Sequence, residues 1–130
     1  MLQDIRSYIE QNLEEEGFNI DRGNTPPQSP WAALEIPSLK IEKIHGGMPD
    51  FSKITAYYIL KLGVENLQSN SDEEEKLEEY TSNLSSIIHE LNDVEGILRA
   101  DVKSGRLAEI DEATNTFIYE FEIEVQFTRR

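Results

Sequence analysis

The sequence predicts an α+β fold, a mainly antiparallel sheet of about four strands with two helices packed on one face, in a single domain over residues 1–130. From Thr116 to Thr128, Phe117, Tyr119, Phe121, Ile123, Val125 and Phe127 alternate with mostly polar or charged residues. On a pleated strand these apolar side chains share one face, and Glu120, Glu122, Glu124 and Gln126 share the other. Ile54, Ala56, Tyr58, Leu60, Leu62 and Val64 repeat the same alternation. Two further stretches carry apolar residues at three- and four-residue steps, the signature of a helix with one apolar stripe. Half-apolar strands and half-apolar helices cover one another.

Leu2, Ile5, Ile9 and Leu13 form the first helical stripe, widened by Met1 and Tyr8. Gly17 is its stop, and Glu14, Glu15 and Glu16 oppose the helix dipole there, which predicts a frayed end. Phe18 to Trp31, with Gly23, Pro26, Pro27 and Pro30, reads as an extended loop. Its Pro27-Gln28-Ser29-Pro30 is read as a stiff connector rather than a polyproline recognition motif. Trp31 either plugs the sheet edge or stands out as an interface anchor. Leu34 and Ile36 share one parity, Leu39 and Ile41 the other, and Pro37 lies between; this predicts a bulge or an edge position. His45-Gly46-Gly47-Met48-Pro49-Asp50 is a loop that leads into the strand Ile54–Val64, so the two runs form a hairpin.

Ser71 and Glu74 make a capping box, and Leu77, Tyr80, Leu84, Ile87, Ile88 and Leu91 trace the second helix behind it. Asn92-Asp93 ends it. Ile97–Val102 and Leu107–Ile110 read as short strands around Lys103-Ser104-Gly105-Arg106. Asp111 to Asn115 then turns the chain into the final strand, whose Phe121 and Ile123 are expected in the core beneath the second helix.

Twenty-six acids against twelve bases give a net charge of −14. Such a surface repels phosphates and anionic lipid, and the bases do not cluster, so no sequence-specific nucleic-acid binding and no membrane contact are expected. The absence of cysteine excludes disulfides and thiolate chemistry. There is no signal-like apolar core at the start and no run long enough to span a bilayer. No phosphate-binding glycine loop or dinucleotide fingerprint occurs. His45 sits in a glycine turn and His89 on a helix surface, far apart in sequence, so neither a metal site nor a catalytic group is assigned. The acids from Glu73 to Glu79 lack the alternating ligands and central glycine of a calcium loop. The row Glu120, Glu122, Glu124 is either a solvated strand face or a surface turned toward a partner or channel.

The order helix, extended loop, long hairpin, capped helix and closing hairpin resembles the tail terminator and tail-completion proteins of long-tailed bacteriophages, including minor capsid and head–tail joining proteins. The stretches that carry it are Leu2 to Leu13, Gly46-Gly47-Met48-Pro49-Asp50, Ile54 to Val64, and Phe117-Ile118-Tyr119-Glu120-Phe121-Glu122-Ile123-Glu124-Val125. The last is similar to an aromatic ending common in that family. The resemblance implies a structural virion subunit of a phage or prophage, present in the host cytoplasm during assembly, with no reaction and no cofactor. It implies a ring of copies, a hexamer in the family, that caps the tail tube and meets the head connector. Pro30, Trp31, His45, Met48 and Asp50 are then the candidate contact residues, and Glu120, Glu122 and Glu124 face the lumen or solvent. A rival reading from another class is an acidic inhibitor that mimics DNA and blocks a nucleic-acid enzyme.

Overall fold

Helix α1 (Leu2–Glu15) buries Ile5, Ile9 and Leu13, the stripe read from the sequence. The computed structural model describes residues 1–23, 28–44, 51–65 and 73–129. Gly17 has φ +99°; its N–H donates to Glu14 O at 3.0 Å, and the Phe18 N–H donates to Leu13 O at 3.0 Å. This pair of bonds is a Schellman closure, which satisfies carbonyls that a helix end otherwise leaves open. Arg22 adds ion pairs to Glu14 at 3.2 Å and Glu10 at 3.7 Å. The acid-rich end is therefore closed, where its charge alone predicted fraying.

Six strands follow in a mixed, mostly antiparallel sheet, with two helices packed against it. They are β1 (Asn19–Ile20), β2 (Trp31–Leu34), β3 (Ser38–Ile44), β4 (Phe51–Glu65), β5 (Ile97–Asp111) and β6 (Thr116–Arg129). The order is β1-β2-β4-β6-β5, and β3 also pairs with β4. Long β4 therefore serves two partners along one edge: β2 lies beside Leu60–Gly63 and β3 beside Phe51–Tyr57. Between them the Glu35 N–H reaches Ile59 O at 2.9 Å. Leu34 pairs with Leu60 and Ser38 with Tyr57, so one extra residue is inserted on the β2–β3 side. This is the bulge expected at Pro37. It raises the strand count above four by splitting one run, and the two-residue parallel strand β1, placed in the extended loop by sequence, supplies another. Ser71 of the capping box, its neighbour Asp72, and Pro26 and Pro27 lie outside the described residues.

The 97–110 region corrects the sequence reading. β5 runs continuously through Lys103–Arg106, with register shifts between Ile97 and Arg99, Val102 and Ser104, and Leu107 and Glu109. Gly105 looked like a turn residue, but it serves a close approach: a Cβ there would lie 2.8 Å from the ring of Phe121 on β6. An aromatic side chain laid over a strand glycine restores packing that the missing side chain forfeits. The turn at Asp111–Asn115 forms as read, with Asn115 at φ 52° and the Ala113 N–H on Asp111 Oδ1 at 3.1 Å.

The core lies between the sheet and the helices. Phe117, Tyr119, Phe121, Ile123, Val125 and Phe127 are all buried, and across β4 so are Ile54, Ala56, Tyr58, Leu60 and Leu62. Helix α2 (Glu73–Glu90) adds Leu84, Ile87 and Ile88, and the turn of 3-10 helix behind it adds Leu91. Tyr80 stands edge-on to Tyr119 at 5.5 Å and to Phe18 at 6.0 Å between ring centroids. Tyr8 ties the helices together, its hydroxyl donating to Ile87 O at 2.9 Å and lying 3.0 Å from Glu90 Oε2. Asn92 pairs like a short strand with Ala100: its Oδ1 accepts the Ala100 N–H at 3.0 Å and its Nδ2 donates to Ala100 O at 3.2 Å.

Candidate interaction surfaces

The sheet face turned away from the helices is open. Register places Lys40 and Glu42 of β3, Lys53, Tyr57, Ile59 and Lys61 of β4, Glu120, Glu122 and Glu124 of β6, and Arg99, Asp101 and Arg106 of β5 on it. The acidic row stands where strand parity puts it, yet in mixed company. Arg106 reaches Glu120 at 3.3 Å, and Lys103 reaches Glu124 at 3.7 Å and Asp101 at 3.7 Å. Arg99 pairs with Asp101, and Lys61 with Glu35 at 3.3 Å. Pairs this accessible contribute about 0–1 kcal/mol each, so they shape the surface potential more than the stability. Together they offset much of the row's charge, while Glu65, Glu109 and Asp111 add further acid to the same face.

The larger acid excess sits on the other layer. α1 carries Asp4, Glu10, Glu14 and Glu15, and α2 carries Glu73, Glu74, Glu75, Glu78, Glu79 and Glu90, against Arg6 and Lys76 alone. The sequence reading of the β6 row was a solvated face or one turned toward a partner or channel. It missed this division because the bases that neutralise the row come from β4 and β5, and only the pairing of the strands shows them to be neighbours.

Trp31 and Pro30 occupy opposite sides of the sheet. Trp31 pairs with Gly63, and a methyl group added to Gly63 would overlap the indole. The indole thus lies flat in the gap left by a missing side chain, half-buried, as a plug of the open face. Beside it a hollow of about 480 Å³ is lined by Glu65, Asp111, Thr114 and Ile118. Pro30, joined to Ser29 by a cis peptide bond, lines a cleft of about 320 Å³ between the helices and β4, with Phe18, Leu62, Tyr80 and Leu84. His45, Met48 and Asp50, the remaining candidates, lie outside the described residues. His89 is exposed on the last turn of α2.

The helix-facing side buries Tyr58 and Tyr119 and partly covers Tyr8, and their hydroxyls are held protonated. Burial pushes Tyr58 and Tyr119 up to about 12, and burial together with the hydrogen bond to Glu90 does the same for Tyr8. The Tyr58 hydroxyl has no hydrogen-bond partner among the described residues. Arg6 opposes its shift slightly, but spends its own donors on Leu34 O and Glu35 O, both at 2.8 Å, and so clamps α1 to the bulge.

Among the described residues no three His, Asp or Glu side chains come together as a metal-binding group, and no helix is long and apolar enough to cross a membrane. The chain matches no known protein family and none of the curated proteins with which it was compared.

Proposed function

We propose that this chain is a structural virion subunit, a phage or prophage tail terminator or head–tail joining protein that assembles into a ring and caps the tail tube. The observation that carries the reading is the element order: one helix, a split edge run, a long central strand, a second helix, then a closing hairpin whose aromatic strand pairs with the central one along its whole length. That order builds a rigid two-layer frame, from which segments 28–31 and 45–50 would contact neighbouring copies, the tail tube and the head connector. A negative surface keeps DNA moving past such a ring without sticking. The helices offer more unbalanced carboxylate for that purpose than Glu120, Glu122 and Glu124 do.

Electron microscopy of purified tail tubes mixed with the protein tests this reading. A ring seated on one tube end, with tube growth arrested, is the expected result. Tubes that keep growing, with the protein absent from their ends, overturn it. A second reading, the acidic DNA mimic, draws on the exposed acids Glu74, Glu78 and Glu79 along α2. Inhibition of a restriction nuclease by the protein, relieved on reversing those charges, would favour it over the ring.

A further inference from the structure

The β5 and β3 edges of the sheet are built differently. β5 carries three register shifts, which spoil it as a template for another strand. β3 carries none over Ser38–Ile44, and its outer edge pairs with no strand among the described residues. Its side chains are also unusual for an edge. Leu39 and Ile41 lie opposite Ala56 and Ile54, on the side of the sheet that the helices cover, yet they are 45% and 60% exposed. A regular edge with one exposed apolar face invites a partner strand.

We propose that the partner is a second copy of this chain, with the two β3 strands antiparallel and centred on Ile41, so that two sheets become one. In that register Ile41 meets Ile41 on the helix side, and Lys40 of each copy lies directly opposite Glu42 of the other on the open side. Lys40 and Glu42 already form an ion pair at 3.3 Å within one strand, so the two copies bring together four charges of alternating sign. Moving the centre by one residue sets Lys40 against Lys40, or Glu42 against Glu42; like charges directly opposite are unfavourable, so the register is defined. Two chains at −14 repel, and Lys40, Lys43 and the adjacent Lys53 lower that repulsion at β3. The pairing is isologous and closes at two copies, so it does not build a ring and does not depend on the ring reading.

The test uses the full chain. Sedimentation equilibrium is expected to show a reversible dimer. Ile41→Cys, in a chain with no other cysteine, is expected to give a disulfide-linked or short-linker-crosslinked dimer in high yield, and Asn83→Cys on α2 is expected to give none. Lys40→Glu and Glu42→Lys should each weaken the dimer about ten-fold. The double swap K40E/E42K should restore it, and that rescue excludes general misfolding as the cause. A chain that stays monomeric at every concentration, a dimer indifferent to both charge reversals, or assemblies that do not crosslink at position 41 would each overturn the proposal. Loss of tube capping with an intact dimer would reject the ring and leave this pairing standing; the reverse outcome would do the opposite.

Discussion

The β5 edge and the β3 edge are answers to opposite demands. β5 is bent by its bulges, anchored by Asn92 at one end and roofed by α2, and its glycine is filled by Phe121 from the next strand. β3 carries no register shift, pairs on one side only among the described residues, and holds Leu39 and Ile41 beyond the cover of either helix. Unused pairing capacity therefore lies on the β3 side, while Phe121 and Asn92 fix β5 from inside the fold. An edge interrupted by bulges and an edge left regular with one apolar face have different tolerances to mutation.

The largest contrast is expected at Phe121. Replacement by Ala removes a fully buried ring and uncovers Gly105, and should cost about 3–5 kcal/mol in a denaturant titration. A loss below about 1 kcal/mol would mean that β5 is not held by that ring. Next in size, Asn92→Ala leaves the Ala100 N–H and C=O without partners and should cost about 1–3 kcal/mol, with amide exchange accelerating first at the start of β5. Exchange rising equally in β3 would erase the distinction between the edges.

Alkaline unfolding probes the core that both edges share. Tyr8, Tyr58 and Tyr119 release their protons near 10 when unfolded and at about 12 in the fold. The folded state thus holds its advantage in full below pH 10 and loses it as pH rises through 12. Tyrosinate absorbance and loss of ellipticity should rise together in that window; full ionisation near 10 with the fold intact would show that the hydroxyls are accessible. The smallest effect is expected at Ile41→Thr, within about 0.5 kcal/mol on monomer stability, because the side chain is already in solvent. Thermal melts at low protein concentration read this directly, and a large loss would mean that β3 is part of the core.

Local patterns were legible in the sequence wherever a short repeat decided the outcome. The parity of Phe117–Phe127 placed that strand's two faces, the spacing of Leu84, Ile87, Ile88 and Leu91 placed α2, and Pro37 marked the bulge. What escaped was set by residues far apart in the chain. Gly105 reads as a turn until Phe121 lies over it. Trp31 could be an anchor or a plug until Gly63, across the β2–β4 pair, receives its indole. Glu120, Glu122 and Glu124 look like a bare acidic row until Lys103 and Arg106 arrive from β5. Of the candidate contacts, Pro30 and Trp31 fall on opposite sides of the sheet, so a single partner surface does not engage both from one side.

The partition of charge between the layers gives the molecule a direction. With carboxylates gathered on the helices and a less acidic sheet face behind them, the described residues are charged asymmetrically across the sheet, in addition to the net charge. A uniform shell of the same charge would only be pushed away from a polyanion. An asymmetric distribution also favours one orientation, helices outward and sheet foremost, as the molecule nears a polyanion.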